Sequence, residues 1–339
     1  MKKHANIPIF IPHLGCPNQC VFCNQRTISG VNCFDISSVK SDIDTALSTM
    51  DSSCEAEIAF FGGSFTGIER SLMTELLEIA YEYVKSGAVK SIRCSTRPDY
   101  IDDEVLDILE RYGVRTIELG LQSSYDAVLL ESKRGHTFKD ELRAVKLIKD
   151  RGFDLVGQMM IGLPSSTIET ELRTAEFIIS SNASAARIYP TVVFKDTELY
   201  EMAEKGMYQP ISLDEAVTRS AAVLDLFYKN DVDVIRIGLC AQESLSSSET
   251  YFAGPNHPAL GELVVGELYY RRICDLIDSS DVMGEHLNIF VARGAVSKAK
   301  GQKKKNITRL ISKYGFSTVT VTECDTLSGY RLYIEYERK

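Results

Sequence analysis

Residues 6–23 read NIPIFIPHLGCPNQCVFC. A short apolar strand, Ile7-Pro8-Ile9-Phe10-Ile11, runs directly into a loop that carries Cys16, Cys20 and Cys23 in C-x3-C-x2-C spacing. If the strand opens a parallel barrel, the loop leaves from the C-terminal mouth, where such barrels carry their active sites. Three thiolates on one loop suit three irons of a four-iron cluster, and the missing fourth ligand leaves one iron open. A zinc site completed by His13 and three unconnected buried cysteines are the plainer alternatives.

The pattern downstream supports a barrel. Apolar strands at 56–61, 90–94, 115–119, 154–161 and 185–189 alternate with helical stretches near 36–50, 69–85, 102–111, 124–131, 138–150 and 167–180. The helices are amphipathic, as in Leu72, Leu76, Leu77, Ile79, Ala80 and Tyr83, and Gly87, Gly113 and Gly152 follow periodic runs as helix stops. Such alternation implies right-handed β-α-β units and a parallel sheet. The expected fold class is α/β, a partial (β/α)6 TIM-type barrel; an open doubly wound sheet is the alternative.

After Pro190 the pattern changes. Residues 191–210 look irregular, a helix follows near 212–229, then a strand at 232–238 and a Ser/Gly/Pro-rich loop at 241–261. Next come a helix at 261–278, a strand at 286–292, a helix at 302–314, and strands at 317–323 and 330–336 flanking a hairpin loop at 325–329. The expected division is residues 1–230 for the barrel core and 231–339 for a smaller C-terminal α+β region.

Composition bounds the function. With 44% hydrophobic and 25% charged residues the chain is an ordinary globular protein, and no apolar run is long enough for a membrane span. The start lacks a signal-peptide core, so a soluble cytoplasmic protein is expected. A net charge of −9 argues against a general nucleic-acid coat, yet residues 281–339 carry 11 Lys/Arg against 6 Asp/Glu. A basic segment on an acidic body suits a localised polyanion site, or simply a solvated surface helix. The other cysteines, Cys33, Cys54, Cys94, Cys240, Cys274 and Cys324, form no second close set, so one cluster is expected.

The chain resembles the radical S-adenosylmethionine (SAM) enzymes, most of all the radical-SAM part of the Elongator catalytic subunit and its bacterial relatives. Oxygen-independent coproporphyrinogen oxidases are more distant cousins. The matching segments are LGCPNQCVFC (14–23), FFGGSFTG (60–67), STRPDYI (95–101), IELGLQS (117–123), KRGHT (133–137), MIGLP (160–164) and RIYPTVVFKDTELY (187–200). The resemblance implies a [4Fe-4S] cluster on Cys16, Cys20 and Cys23 and SAM on the open iron. Reductive cleavage of SAM would give a 5′-deoxyadenosyl radical that takes hydrogen from a substrate.

It further implies roles for single residues. Phe22 would pack near the adenine. Gly62, Gly63 and Ser64, with Ser64 where many relatives have Glu, would accept from the SAM ammonium. Gln122 would meet a ribose hydroxyl or a carboxylate, and Arg134 would hold the SAM carboxylate with its guanidinium fork. Gln158 stands where coproporphyrinogen oxidases place a ribose-binding Asp. Gly162 and Leu163 would hold and cover the adenine. Tyr189 and Lys195 are candidates for the substrate pocket; packing and a solvated loop charge are the alternatives. Lys133 and His136 receive no role, and His257 reads as a structural loop histidine.

The tail of 109 residues is too short for the usual acetyl-CoA-binding fold and shows no acyl-pyrophosphate loop, so the whole Elongator reaction is not carried over. Nor does it resemble a coproporphyrinogen-binding region. Its lysine run, Lys298 to Lys305 with Lys303, Lys304 and Lys305 consecutive, suits phosphates. The expected function is therefore a radical SAM enzyme that modifies RNA, in the manner of transfer-RNA modification, with a flavodoxin- or ferredoxin-like one-electron donor. The alternatives are a cluster-containing binding or redox-sensing protein, and a radical SAM enzyme for a small metabolite.

Overall fold

The computed structural model describes residues 4–11, 15–16, 20–24, 34–51, 53–239, 247, 249–280 and 284–337. His13, Cys33 and Cys240 lie outside the described residues. The chain divides into two compact units, Met1–Ile211 with Leu226–Asn256, and Ser212–Asp225 with His257–Lys339.

The first unit is built on seven parallel strands: β1 (His4–Phe10), β2 (Glu55–Phe61), β3 (Ser91–Thr96), β4 (Val114–Gln122), β5 (Asp154–Ile161), β6 (Ala185–Pro190) and, after a short β7 (Val193–Phe194), β8 (Asp233–Ile237). Strands β1 to β6 lie side by side in chain order and β8 adds to β6, so the sheet curls into a partial barrel. Here the expected division is corrected. The strand foreseen at 232–238 belongs to the barrel sheet, not to the C-terminal region. β7 and β9 (Tyr251–Ala253) form a two-stranded antiparallel ribbon, and a helix, Glu198–Glu204, forms where irregular chain was expected.

The sequence makes these elements for simple reasons. Central strands are buried on both faces, as in β2, where Ile58, Ala59 and Phe60 are fully buried. The covering helices turn one apolar stripe inward: Met73, Leu76, Leu77 and Ala80 of Arg70–Lys85 are all buried. Each fully buried Leu contributes about 1.5–3 kcal/mol over an exposed one. Thr137 with Asp140, and Thr167 with Thr170, form reciprocal capping boxes at the starts of the helices Phe138–Asp150 and Ile168–Ser180.

One face of the sheet departs from the apolar pattern. Glu57, Arg93, Glu118, Gln158 and Arg187 come from five successive strands and bond to one another. Arg93 Nη1 donates to Glu118 at 3.0 Å, Gln158 Nε2 at 2.9 Å, and Arg187 Nε and Nη2 at 2.7 and 2.9 Å. Arg93 also bonds Glu57, which His4 reaches at 2.7 Å. Glu118 is wholly buried, so this saturation with cationic and amide donors is what makes its position tolerable.

The second unit contains the helix Leu260–Asp278 and a three-stranded sheet of β10 (His286–Val291), β11 (Thr318–Glu323) and β12 (Leu332–Glu337). The hairpin expected around 325–329 does not form. β10 lies in the middle, parallel to β11 and antiparallel to β12. Leu287, Ile289 and Val291 are fully buried, which gives β10 the central place. A crossover through helices makes β11 parallel, and β12 then takes the other edge. No helix among the described residues is long and apolar enough to cross a membrane.

Candidate active site

The C-terminal ends of β1, β2 and β4 and the chain after them carry several of the residues singled out above. Ile11 N–H bonds Phe61 O at 2.7 Å and carries the β1–β2 pairing one residue beyond the strands. The loops that follow are then pressed together. Gly15 has φ +78°, and a Cβ there would meet Ser64 O at 2.3 Å. Gly62, at φ +98°, lies against the Ile11 backbone. The close approach brings Cys16 Sγ to 3.8 Å from Ser64 Oγ.

The middle of the cysteine loop is held by backbone bonds. Val21 N–H donates to Ser132 O at 3.2 Å, and Val21 O accepts from Leu199 N at 2.8 Å. Val21 itself is buried with Val193, Leu199 and Tyr208, and Phe22 packs on that cluster. Cys23 N–H bonds Cys20 O at 3.0 Å, which folds the two cysteines into one turn.

Arg134 is buried behind the loop. Its Nη1 lies 3.2 Å from Cys20 Sγ and its Nη2 donates to Gly120 O at 2.7 Å, while Nε has no partner. Gly120 makes room: a Cβ there would sit 3.3 Å from Gln122 Nε2 and 3.4 Å from Arg134 Nη2. Gln122 stands at a bulge of β4 with φ +70°, and its Oε1 is buried with no partner.

Arg97 is a residue that the sequence reading missed, although its segment STRPDYI was recognised. It follows β3, is 3% exposed, and clasps Asp99 through Nε and Nη2 at 2.9 and 2.8 Å, leaving Nη1 without a partner. Burial pulls its pKa down, but Asp99 and the Cys20 and Cys16 thiols carry it above the usual arginine value. The available signal was a charged residue directly after a buried strand.

The remaining candidates stand as follows. Gln158 is committed to Glu118 and to Ser95 Oγ, at 3.3 Å. Gly162 N–H bonds Glu171 Oε1 at 2.8 Å and its carbonyl accepts from Tyr208 Oη at 2.6 Å, so the loop offers mainly the apolar cover of buried Leu163. Gly63 is half-buried beside Ser64. Tyr189 is half-buried on β6, and burial raises its phenol, with Arg187 at hand as the opposing charge. Lys195 is half-buried and its N–H bonds Thr250 O at 2.8 Å. Lys303, Lys304 and Lys305 are exposed in the second unit, as the sequence reading expects of a lysine run.

The donor set fits the two groups that the sequence implies. Among the described residues no three or more His, Cys, Asp or Glu side chains are set for a single metal ion. Three cysteines on one loop, two of them half-exposed, suit the wider reach of an iron–sulfur cube. The unpartnered Gln122 Oε1, Arg97 Nη1 and Arg134 Nε are polar atoms that a polar ligand would satisfy.

Comparison with known proteins gives the same picture. Residues 10–178 match the Radical SAM superfamily and residues 183–270 the Radical_SAM C-terminal domain. An uncharacterized protein of Methanocaldococcus jannaschii is 31% identical over 226 residues, 63% of this chain and 68% of that protein. The tRNA uridine(34) acetyltransferase of Methanocaldococcus infernus is 35% identical over 125 residues, 36% of this chain but only 23% of the relative's length. Among solved structures, the Elp3 of Methanocaldococcus infernus, with its N-terminus deleted, aligns at a TM-score of 0.60 and 22% identity, over 80% of this chain and 68% of that one.

Proposed function

The chain belongs to the radical S-adenosylmethionine superfamily, and from that premise we propose that it is an enzyme modifying RNA at the mouth of its partial barrel. The superfamily works with a [4Fe-4S] cluster and SAM, which when bound supply one-electron cleavage of the sulfonium and a 5′-deoxyadenosyl radical for hydrogen abstraction. Such proteins need an electron donor; a flavodoxin- or ferredoxin-like carrier fits here.

The observation that carries the site assignment is the position of Arg134, which bonds Gly120 O and lies against Cys20 Sγ. Cys16, Cys20 and Cys23 would hold the cluster, and Arg134 would hold the Cys20 loop at the end of β4. Gln122, with its open Oε1, and Gly62, Gly63 and Ser64 of the adjoining loop would bind the polar ends of SAM. Phe22 and Leu163 would exclude water from the adenine side. Tyr189 and Lys195, on and after β6, would face the substrate.

The RNA substrate rests on a narrower base. A relative whose name specifies tRNA uridine 34 shares 35% identity over 125 residues, and the second unit carries the lysine run. The test is RNA-dependent turnover. The reconstituted, reduced protein is given SAM under anaerobic conditions with and without a transfer-RNA fraction, and 5′-deoxyadenosine is quantified. Stimulation that disappears after ribonuclease treatment is expected. Turnover unaffected by RNA but raised by a small-molecule extract would contradict the substrate assignment.

A further inference from the structure

β10, a short helix Val296–Lys300, the turn Gly301–Lys305, the helix Lys305–Tyr314 and β11 follow one another in the second unit, and β10 and β11 are neighbours in parallel. From His286 to Glu323 there are eight Lys/Arg and one acidic residue, Glu323, in a chain of net charge −9. Five of the eight, Lys298, Lys300, Lys303, Lys304 and Lys305, lie in or beside the turn. Among the described residues Lys298, Lys300, Lys303 and Lys304 form no ion pair, and Lys305 has only Asp214 at 3.5 Å. That concentration of unneutralised charge points to a polyanion.

The turn is held in one shape. Buried Asn306 donates through Nδ2 to Gly266 O at 2.8 Å and to Ala299 O at 3.0 Å, so it ties the start of the helix Lys305–Tyr314 to the helices Leu260–Asp278 and Val296–Lys300. Gly301 has φ +71°, and a Cβ there would meet the Asn306 amide at 3.1 Å. Lys303 and Lys304 both take left-handed backbone, with φ of +52° and +60°, and both are exposed.

We propose that His286–Glu323 is a binding module for single-stranded RNA, in which the turn Gly301–Lys305 grips consecutive backbone phosphates. The assignment extends the RNA reading given above. K-homology modules use a G-x-x-G turn between two helices to clamp about four backbone nucleotides. Gly301-Gln302-Lys303-Lys304 keeps the first glycine, and Lys304 takes the backbone conformation that a glycine would supply while adding a charge. Lysines at these positions neutralise phosphates and release counterions. A single strand can bend around so tight a turn, whereas a duplex holds its phosphates on a stiff frame.

The test is fluorescence anisotropy of the full chain with a fluorescein-labelled single-stranded RNA of about 12 nucleotides, titrated in salt from about 50 to about 200 mM. The variant is Lys303→Gly with Lys304→Gly. Glycine adopts the left-handed backbone freely, so the fold is retained while two charges go. Circular dichroism checks that. The expected result is salt-sensitive binding by the parent, about tenfold weaker in the variant, with a slope of log affinity against log salt smaller by about 1.4. Three results would overturn the assignment: no binding by the folded parent, unchanged affinity and slope in the variant, or tighter binding of a duplex of the same length. The two readings fail separately. Absence of 5′-deoxyadenosine removes the radical chemistry and leaves the titration standing; absence of RNA binding does the reverse.

Discussion

Arg134 Nη1 lies 3.2 Å from Cys20 Sγ, and the other arm of the same guanidinium reaches Gly120 O at 2.7 Å. One planar fork thus joins the cysteine loop to the end of β4. Groups that orient metal ligands typically contribute 10–100-fold to metal affinity. Arg134→Ala is therefore expected to weaken iron retention by about that factor, read by chelator competition on the reconstituted protein. Arg134→Lys keeps the charge but not the fork and is expected to fall between the two. Equal retention in all three proteins would remove this role.

Gly15 carries the close approach of the first two loops. Any side chain must displace Ser64 O, which a Cβ would meet at 2.3 Å, and must adopt φ +78°. Gly15→Ala is expected to destabilise the fold by about 1–3 kcal/mol, as overpacking does. A urea titration measures this. The same variant should load less iron, although all three cysteines remain.

Glu118 holds the polar face of the barrel together. It is fully buried and accepts from Arg93, Gln158 and Arg187. Glu118→Ala leaves Arg187 without its carboxylate and Arg93 with Glu57 alone, an effect of about 3–5 kcal/mol. Glu118→Gln keeps the shape and some hydrogen bonds and should lose less. A stability loss below that of an ordinary core truncation would show that water replaces the carboxylate.

His136 Nε2 and Glu141 Oε1 are 3.1 Å apart and both side chains are buried. Burial, with Arg134 and Arg97 opposing a further charge, lowers His136 from 6.5 to about 3 in spite of Asp99 and Asp140. Burial, reinforced by Asp126 and Asp140 and opposed by Arg134, raises Glu141 well above 4.5. The folded pair then holds one proton, on Glu141. Above about pH 6.5 the unfolded chain has lost its histidine proton while the folded pair keeps the one on Glu141, so stability falls as pH rises. Below about pH 4.5 the unfolded chain binds two protons to the folded pair's one, so stability falls again in acid. Urea midpoints of the parent should therefore decline as pH rises past about 6.5, and Glu141→Gln should remove that decline. A parent curve flat above that pH would refute the assignment.

The alternation of strand and helix was legible up to Pro190 because most of each strand there is apolar and each helix is amphipathic. The cysteine loop was legible for a different reason: its spacing is local. What stayed hidden depends on pairings distant in sequence. The place of β8 in the barrel is decided by its register on β6, where Ala185 faces Asp233. β12 resembled a hairpin partner of β11 because only the sheet order reveals β10 between them. Arg97 and Glu118 were hidden because burial of a charge is visible only once its partners are in place. Gln158 was recognised by position, but its bond to Glu118 was not.

In the proposed chemistry Cys16, Cys20 and Cys23 hold a cluster that cleaves SAM. The most direct measurement is 5′-deoxyadenosine formed by the anaerobically reconstituted, reduced protein with SAM, beside Cys16→Ala, Cys20→Ala and Cys23→Ala. Product is expected from the parent and none from any of the three variants. Product that persists in a cysteine variant, or a loaded and reducible parent cluster that binds SAM and yields none even with RNA present, would contradict it.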